Sequence, residues 1–424
     1  GILPLPTLSP ARPSGAAVSQ EQRLKESDLA NLAKKLGEWM EASSAQKKVG
    51  EAQQGLRDAF AKLQKKLKGT DPLALPAEIG TALYMSYDYK KARVSKGKID
   101  TLQATLQAKA GPKDYEFAVS APSTYNAGKQ SYPLLICIPD ENLKRDPKRL
   151  LMEDWVSPEV KEGAILAAPP MPDDPALWNL SDLDGEPGGV AYVLRTFATV
   201  RDVYAIDFDR VYLLGRGRGA EAAVAIAEYF PDRFAGVVGR SGGPGAIDPV
   251  NFKNRPTYFV GGDGKASEFQ KKVDELGYKN CTLMAEGKEL DIWNWISQTR
   301  RQANPAEITF VPGSPFPKRA YWIEVPPMDD PARSAKITAR VERETNTIRI
   351  EARGVKELIL YFNDDLVNLS DPVKVVINGA ESMDLIPRNF LRTLELISMS
   401  KSDPGRIYVE TKSYSVPDAP GESK

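Results

Sequence analysis

The chain has 424 residues, 57 Lys+Arg against 57 Asp+Glu, and no histidine. That length implies roughly two or three domains. The charge balance leaves no net field to draw in nucleic acid or anionic membrane, and no run of about 20 apolar residues marks a membrane span. Without histidine a hydroxyl nucleophile lacks its usual imidazole base, and histidine-ligated zinc, haem or copper sites are excluded. Neither a metal nor another cofactor is expected.

Residues 1–20 carry Pro4, Pro6, Pro10 and Pro13 among Ser, Gly and Ala, which reads as an extended arm. Residues 21–111 read as a helical segment. Leu29, Leu32, Leu36 and Trp39 share one face behind Ser27 as N-cap. Ala52, Leu56, Phe60, Leu63 and Leu67 make a second run ending at Gly69. A third covers Ala77 to Val94, and Ile99, Leu102 and Leu106 mark a fourth. Such a segment is either a packing appendage or a docking surface.

Strands alternate with helices over 112–312, the pattern of a mostly parallel sheet covered on both faces. Tyr115–Ala121 alternates as a strand, while Pro133–Pro139 and Ala164–Ala168 are near-continuous apolar strands. Gly189–Tyr204 is a helix with Val193, Phe197 and Val200 inward. Then come Val211-Tyr212-Leu213-Leu214, the glycines of Gly215-Arg216-Gly217-Arg218-Gly219, and an Ala-rich helix. A strand, a sharp turn and a helix in that order is where a G-x-S-x-G elbow carries a nucleophile, but Gly217 stands in the serine position. Cys137 and Cys281 sit in strand-like runs and read as free buried thiols, not as a disulfide or metal pair.

The segment Ile206–Gly215, followed by Tyr229-Phe230-Pro231-Asp232-Arg233-Phe234-Ala235 and Ser241-Gly242-Gly243, resembles the esterase/PHB-depolymerase-like branch of the α/β-hydrolases in spacing and residue type. Ser123-Thr124-Tyr125 with Tyr132–Leu135 is similar to that family's strand before the oxyanion loop. The resemblance implies an α/β-hydrolase fold, and the departures fall at its chemical positions. Pro139-Asp140 replaces the His-Gly of the oxyanion loop, Lys265 falls near the acid position with Asp263 close by, and Lys288 stands where the histidine belongs.

From 313 to 416 the period becomes two, in Ala320–Val325, Ala335–Val341, Thr347–Ala352, Glu357–Phe362 and Val373–Ile377. This reads as a small β-sandwich-like domain. Asn389–Ser400 is helical, Arg406–Thr411 closes as a strand, and 417–424 is a polar tail. The fold expected is therefore α/β, with a helical N-terminal segment and a β-rich C-terminal domain.

Three functions are weighed. A catalytically inactive α/β-hydrolase-like scaffold subunit, associating with other proteins or itself, is the reading the missing serine and histidine favour. The first alternative binds an anion or small ligand in the former active site through Arg216, Arg218 and Asp140. The second is an esterase-type hydrolase with non-standard catalytic residues. Gly215-x-Gly217-x-x-Ala220 also satisfies a dinucleotide fingerprint, with Arg240 suited to a 2′-phosphate, but the flanking hydrolase-like segments oppose it. The start at Gly1, together with the habits of the resembled family, points to a periplasmic or secreted protein.

Overall fold

The computed structural model describes residues 24–89, 92–144, 146–313, 317–326 and 335–418; the Pro-rich arm over 1–20 and the tail from 419 lie outside them. The described residues fall into two compact units, one within Tyr89–Gln302 and the other drawn from Arg12–Asp88 and Ala303–Lys424.

Three helices come first: α1 (Glu26–Ala45), α2 (Val49–Lys66) and α3 (Pro76–Ser86). Ser27 lies inside the first turn of α1 instead of capping it, because Lys25 takes the N-cap position. The expected apolar faces are buried, with Leu29, Leu32, Leu36 and Trp39 on α1 and Leu56, Phe60 and Leu63 on α2. The fourth expected helix is not one: Ile99–Ala108 is strand β1, paired antiparallel with β2 (Gly111–Ser120) across a two-residue turn. The spacing of Ile99, Leu102 and Leu106 fits a helical face, but pairing with β2 buries Ala104 and Leu106, two apart, as a strand does.

The first unit is built on an eight-stranded sheet. After β1 and β2 come β3 (Tyr132–Ile138), β4 (Ile165–Ala168), β5 (Ile206–Arg216), β6 (Gly236–Arg240), β7 (Thr257–Val260) and β8 (Cys281–Met284). Their spatial order is β1-β2-β4-β3-β5-β6-β7-β8. β2 runs antiparallel to both its neighbours, and every pair from β4–β3 to β7–β8 is parallel. β3, β4 and β7 are buried at every position, which is why their sequences are apolar runs without alternation. Helices cover the sheet: α4 (Pro147–Glu153), α5 (Pro158–Gly163), α6 (Gly189–Val203), α7 (Arg218–Tyr229), α8 (Gly264–Glu275) and α9 (Glu289–Gln298). This is an α/β-hydrolase fold. The two cysteines are free, Cys137 buried in β3 and Cys281 half-buried in β8.

The acidic residues that precede β5's apolar core are structural. Arg300, just past α9, donates to Asp207 at 2.9 Å, and Arg301 donates to Asp209 at 3.0 Å. They clamp the start of the strand to the end of the last helix.

On α7, burial pushes the Glu228 carboxyl up to about 7 from its ordinary 4.5, against the pull of Arg255. Between those two pH values the folded state holds the extra proton, so stability falls as pH rises through the window. Glu228→Gln is expected to lose this dependence. Relative to the parent it should gain about 2 kcal/mol between pH 5 and pH 8, discounted for partial solvent access. Parallel denaturant-unfolding curves for the two proteins across that range would refute the assignment.

In the second unit α1–α3 share one core with two sheets that lie more than 200 residues on, including Ile308, Trp322, Ile337, Ile350, Leu360 and Val375. One sheet joins β9 (Glu307–Phe310), β12 (Lys336–Glu342), β13 (Thr347–Arg353), β15 (Val373–Ile377) and β16 (Ala380–Asp384) in that order. The other joins β10 (Arg319–Ala320), β11 (Ile323–Glu324), β14 (Glu357–Phe362) and β17 (Glu410–Ser415). The run expected over Ala320–Val325 is broken into two short strands, and the final strand falls over 410–415. Helix α10 (Phe390–Met399) is capped by Asn389, whose side chain accepts from the Arg392 N–H at 3.2 Å. Trp322, fully buried, donates its indole N–H to the Pro305 carbonyl at 2.9 Å. No described helix is long and apolar enough to cross a membrane.

Candidate active site

The apolar residues Val211–Leu214 drive β5 through the middle of the sheet, and the glycines let the chain reverse at its C-terminal edge. Gly217 sits at φ +53°, ψ −121°, a conformation a residue with a Cβ adopts only at a cost. Its N–H donates to the Arg240 carbonyl at 2.9 Å, and α7 starts at the next residue. Gly219 allows α7 to close on β3, since a Cβ there would lie 2.4 Å from the Pro139 carbonyl oxygen. The turn has the geometry of a strand–turn–helix elbow.

The space beside Gly217 is filled by Asp140. A Cβ built on Gly217 would meet the Asp140 carboxylate oxygens at 2.7 and 2.9 Å. By sequence Asp140 falls in the oxyanion-loop position; in space its carboxylate occupies the room a nucleophile side chain would use. One oxygen accepts from the Glu141 N–H at 2.7 Å, which orients the group. Among the described residues the N–H groups of Arg218 and Gly219, at the start of α7, donate to no protein acceptor.

Two polar clusters flank this point. On one side Asp154, only 3% exposed, accepts from Arg216 at 3.0 Å and from Arg240 at 3.3 Å through the same oxygen. Arg240 also lies 3.6 Å from Glu289 and 4.8 Å above the Trp155 ring, and Glu289 accepts from the Ser157 N–H at 2.8 Å. Trp155 has φ +60° and Ser241, after Arg240, has φ +50°, so strained backbone adjoins the cluster twice. Beneath it, burial and the charges of Asp154 and Glu289 push the Cys137 thiol well up, which keeps it an inert hydrophobe. On the other side Arg218 donates to Glu221 at 3.5 Å and to the Pro175 carbonyl at 3.3 Å, and Asn179 donates to Glu221 at 3.4 Å.

The remaining candidates lie apart from this chemistry. Asp263 caps α8, accepting from the N–H groups of Lys265 and Ala266, and the Lys265 side chain is exposed. Lys288 is also exposed, at the N-cap of α9, where its N–H donates to Asp291 at 2.8 Å. Both lysines face solvent, away from the enclosed setting an unconventional lysine base would need. Arg240, the residue a 2′-phosphate would need, is held by Asp154, Glu289 and Trp155. Trp295 packs on Tyr212 and Tyr258, and both Trp293 and Trp295 pack on the core, as helix anchors do. Reading the sequence missed Asp154 and Glu289 altogether; their partners are too distant along the chain to leave a spacing signal.

Comparison with models of known protein families finds no match, and comparison with curated proteins finds none. Among solved structures, the chain is similar to a thermostable esterase at 18% identity and a TM-score of 0.39, over 48% of this chain and 64% of that one. It is similar to a ferulic acid esterase at 16% identity and a TM-score of 0.34, over 47% of this chain and 95% of the other. A third is the S-formylglutathione hydrolase of Agrobacterium tumefaciens, at 14% identity and a TM-score of 0.33, over 49% and 94%. Likeness at this level concerns the fold. The expectation of a non-enzymatic scaffold subunit has no support among these structures, which are two esterases and a hydrolase. That expectation, and with it the reading of the chain as no enzyme, is corrected.

Proposed function

We propose that the chain is an esterase-type hydrolase that works without a serine–histidine pair, with Asp140 as the base that activates water. The observation that supports this reading is the pair of Asp140 oxygens within 2.9 Å of the missing Gly217 Cβ, at the sharp turn of the sheet's C-terminal edge. Water held by the carboxylate attacks the acyl carbon and passes its proton to Asp140. The resulting oxyanion accepts from the backbone N–H groups of Arg218 and Gly219, which the start of α7 presents without a protein acceptor. Collapse expels the alkoxide, which takes the proton back from Asp140. The scheme needs no covalent intermediate and no imidazole.

The test is steady-state hydrolysis of p-nitrophenyl esters by the full chain. Asp140→Asn is expected to lower kcat about 100-fold, the usual scale for losing a general base. Added formate should restore part of the activity of Asp140→Ala by standing in for the lost carboxylate. An undiminished rate in Asp140→Asn, or no turnover above the uncatalysed rate in the parent, overturns the reading.

A further inference from the structure

The two arginines of the elbow are not equivalent. Arg218 is turned inward: its Nε is buried, and its two terminal nitrogens go to Glu221 and the Pro175 carbonyl. Arg216 has its side chain 48% exposed and spends one nitrogen, Nη1, on Asp154 at 3.0 Å. Among the described residues nothing accepts from its Nε or Nη2. Those two atoms form the side edge of the guanidinium, whose parallel N–H groups match the two oxygens of a carboxylate. Asp154 is only 3% exposed and also accepts from Arg240, so Arg216 is aimed by a fixed partner. It directly precedes Gly217 in the chain, next to the turn proposed for chemistry.

We infer that Arg216 is a specificity-determining residue that grips a carboxylate on the substrate, so that the preferred esters carry a free carboxylate away from the scissile bond. The inference rests on the esterase reading for the word ester, though not for the anion. One guanidinium edge offers two donors, enough for a carboxylate. The other cation of this cluster, Arg240, is already shared between Asp154 and Glu289, which leaves a phosphate's third oxygen unmatched. The negative charge of Asp140 keeps the carboxylate at the far end of the acyl chain, because like charges close together are disfavoured. A neutral ester of the same length loses the Arg216 contact and nothing else.

The experiment compares mono-p-nitrophenyl adipate with p-nitrophenyl hexanoate, which have acyl chains of equal length, and measures binding of adipate itself by calorimetry. The parent is expected to favour the adipate ester at least about tenfold in kcat/KM, the scale of a charge-assisted pair. Arg216→Gln should bring that ratio near one, mainly through KM, and weaken adipate binding about tenfold. Arg216→Lys, which keeps a cation for Asp154, should fall between and guards against mistaking misfolding for lost recognition. A parent ratio near one, or a ratio that survives in Arg216→Gln, overturns the inference. If neither ester is turned over, the esterase reading fails on its own; the carboxylate grip then stands if adipate binds the parent and not Arg216→Gln, and falls if it binds both alike or neither.

Discussion

Asp154→Ala should unfold with a free energy about 3 kcal/mol below that of the parent. The carboxylate is almost fully buried and one of its oxygens serves two guanidiniums, at 3.0 and 3.3 Å. Removing one partner of a buried ion cluster leaves charge without compensation, which typically costs about 3–5 kcal/mol. The lower end applies because Arg216 is half-exposed and can hydrate, while Arg240 keeps Glu289 and the Trp155 ring. Asp154→Asn preserves shape and one acceptor, so it should cost less than the alanine variant. Denaturant unfolding decides the matter: a loss below about 1 kcal/mol for Asp154→Ala would mean that the cluster contributes no more than surface pairs do.

Gly217→Ser, which places a hydroxyl at the elbow, should destabilise the protein by about 3 kcal/mol and add no serine-type activity. Part of the cost is backbone, since a side chain at φ +53° is strained by roughly 1–2 kcal/mol. The rest is steric, because the new Cβ meets both Asp140 oxygens inside 3 Å and the carboxylate must leave. Paired with Asp140→Ala, the serine should cost only the backbone share, so the double-mutant cycle should show a coupling of about 1–2 kcal/mol. Additive effects would show that Asp140 does not occupy the serine's room. The carboxylate that the serine displaces is no longer placed to act as its base, and this chain has no histidine to take that role.

Local chemistry was legible in the sequence. The glycines at 215, 217 and 219, between a buried strand and an Ala-rich helix, define the turn: Gly217 takes a positive φ, and a Cβ at Gly215 or Gly219 would meet backbone oxygens at 2.1 and 2.4 Å. The apolar runs of β3 and β4 announced a sheet covered on both faces. The first hairpin was not legible: Ile99, Leu102 and Leu106 fit a helical face, and only the ladder from Ile99–Ser120 to Ala108–Gly111 decides otherwise. Nor was the electrostatic side of the site. Asp154 pairs with Arg216 and Arg240 across 62 and 86 positions, separations at which no periodicity connects residues. In the sequence Asp140 stands as a departure at a loop position, and only the turn of the chain brings it beside Gly217. The lack of a serine at Gly217 and of any histidine points by itself to a silent scaffold, an expectation that has been corrected.

The shared core of α1–α3 with the C-terminal strands has a consequence for how the protein is made. The ribosome releases the three helices first, and their partners, Ile308 onward, follow only after the whole of Tyr89–Gln302 has been translated. At about 5–20 residues per second that is a delay of roughly 10–45 s. During it Leu32, Leu36, Leu56 and Leu83, all buried at the end, have no sheet to cover them. The unit translated in between can meanwhile complete its own sheet. The nascent chain therefore carries a finished α/β sheet and three unsheltered helices at once, and those helices are where a holding chaperone should be found.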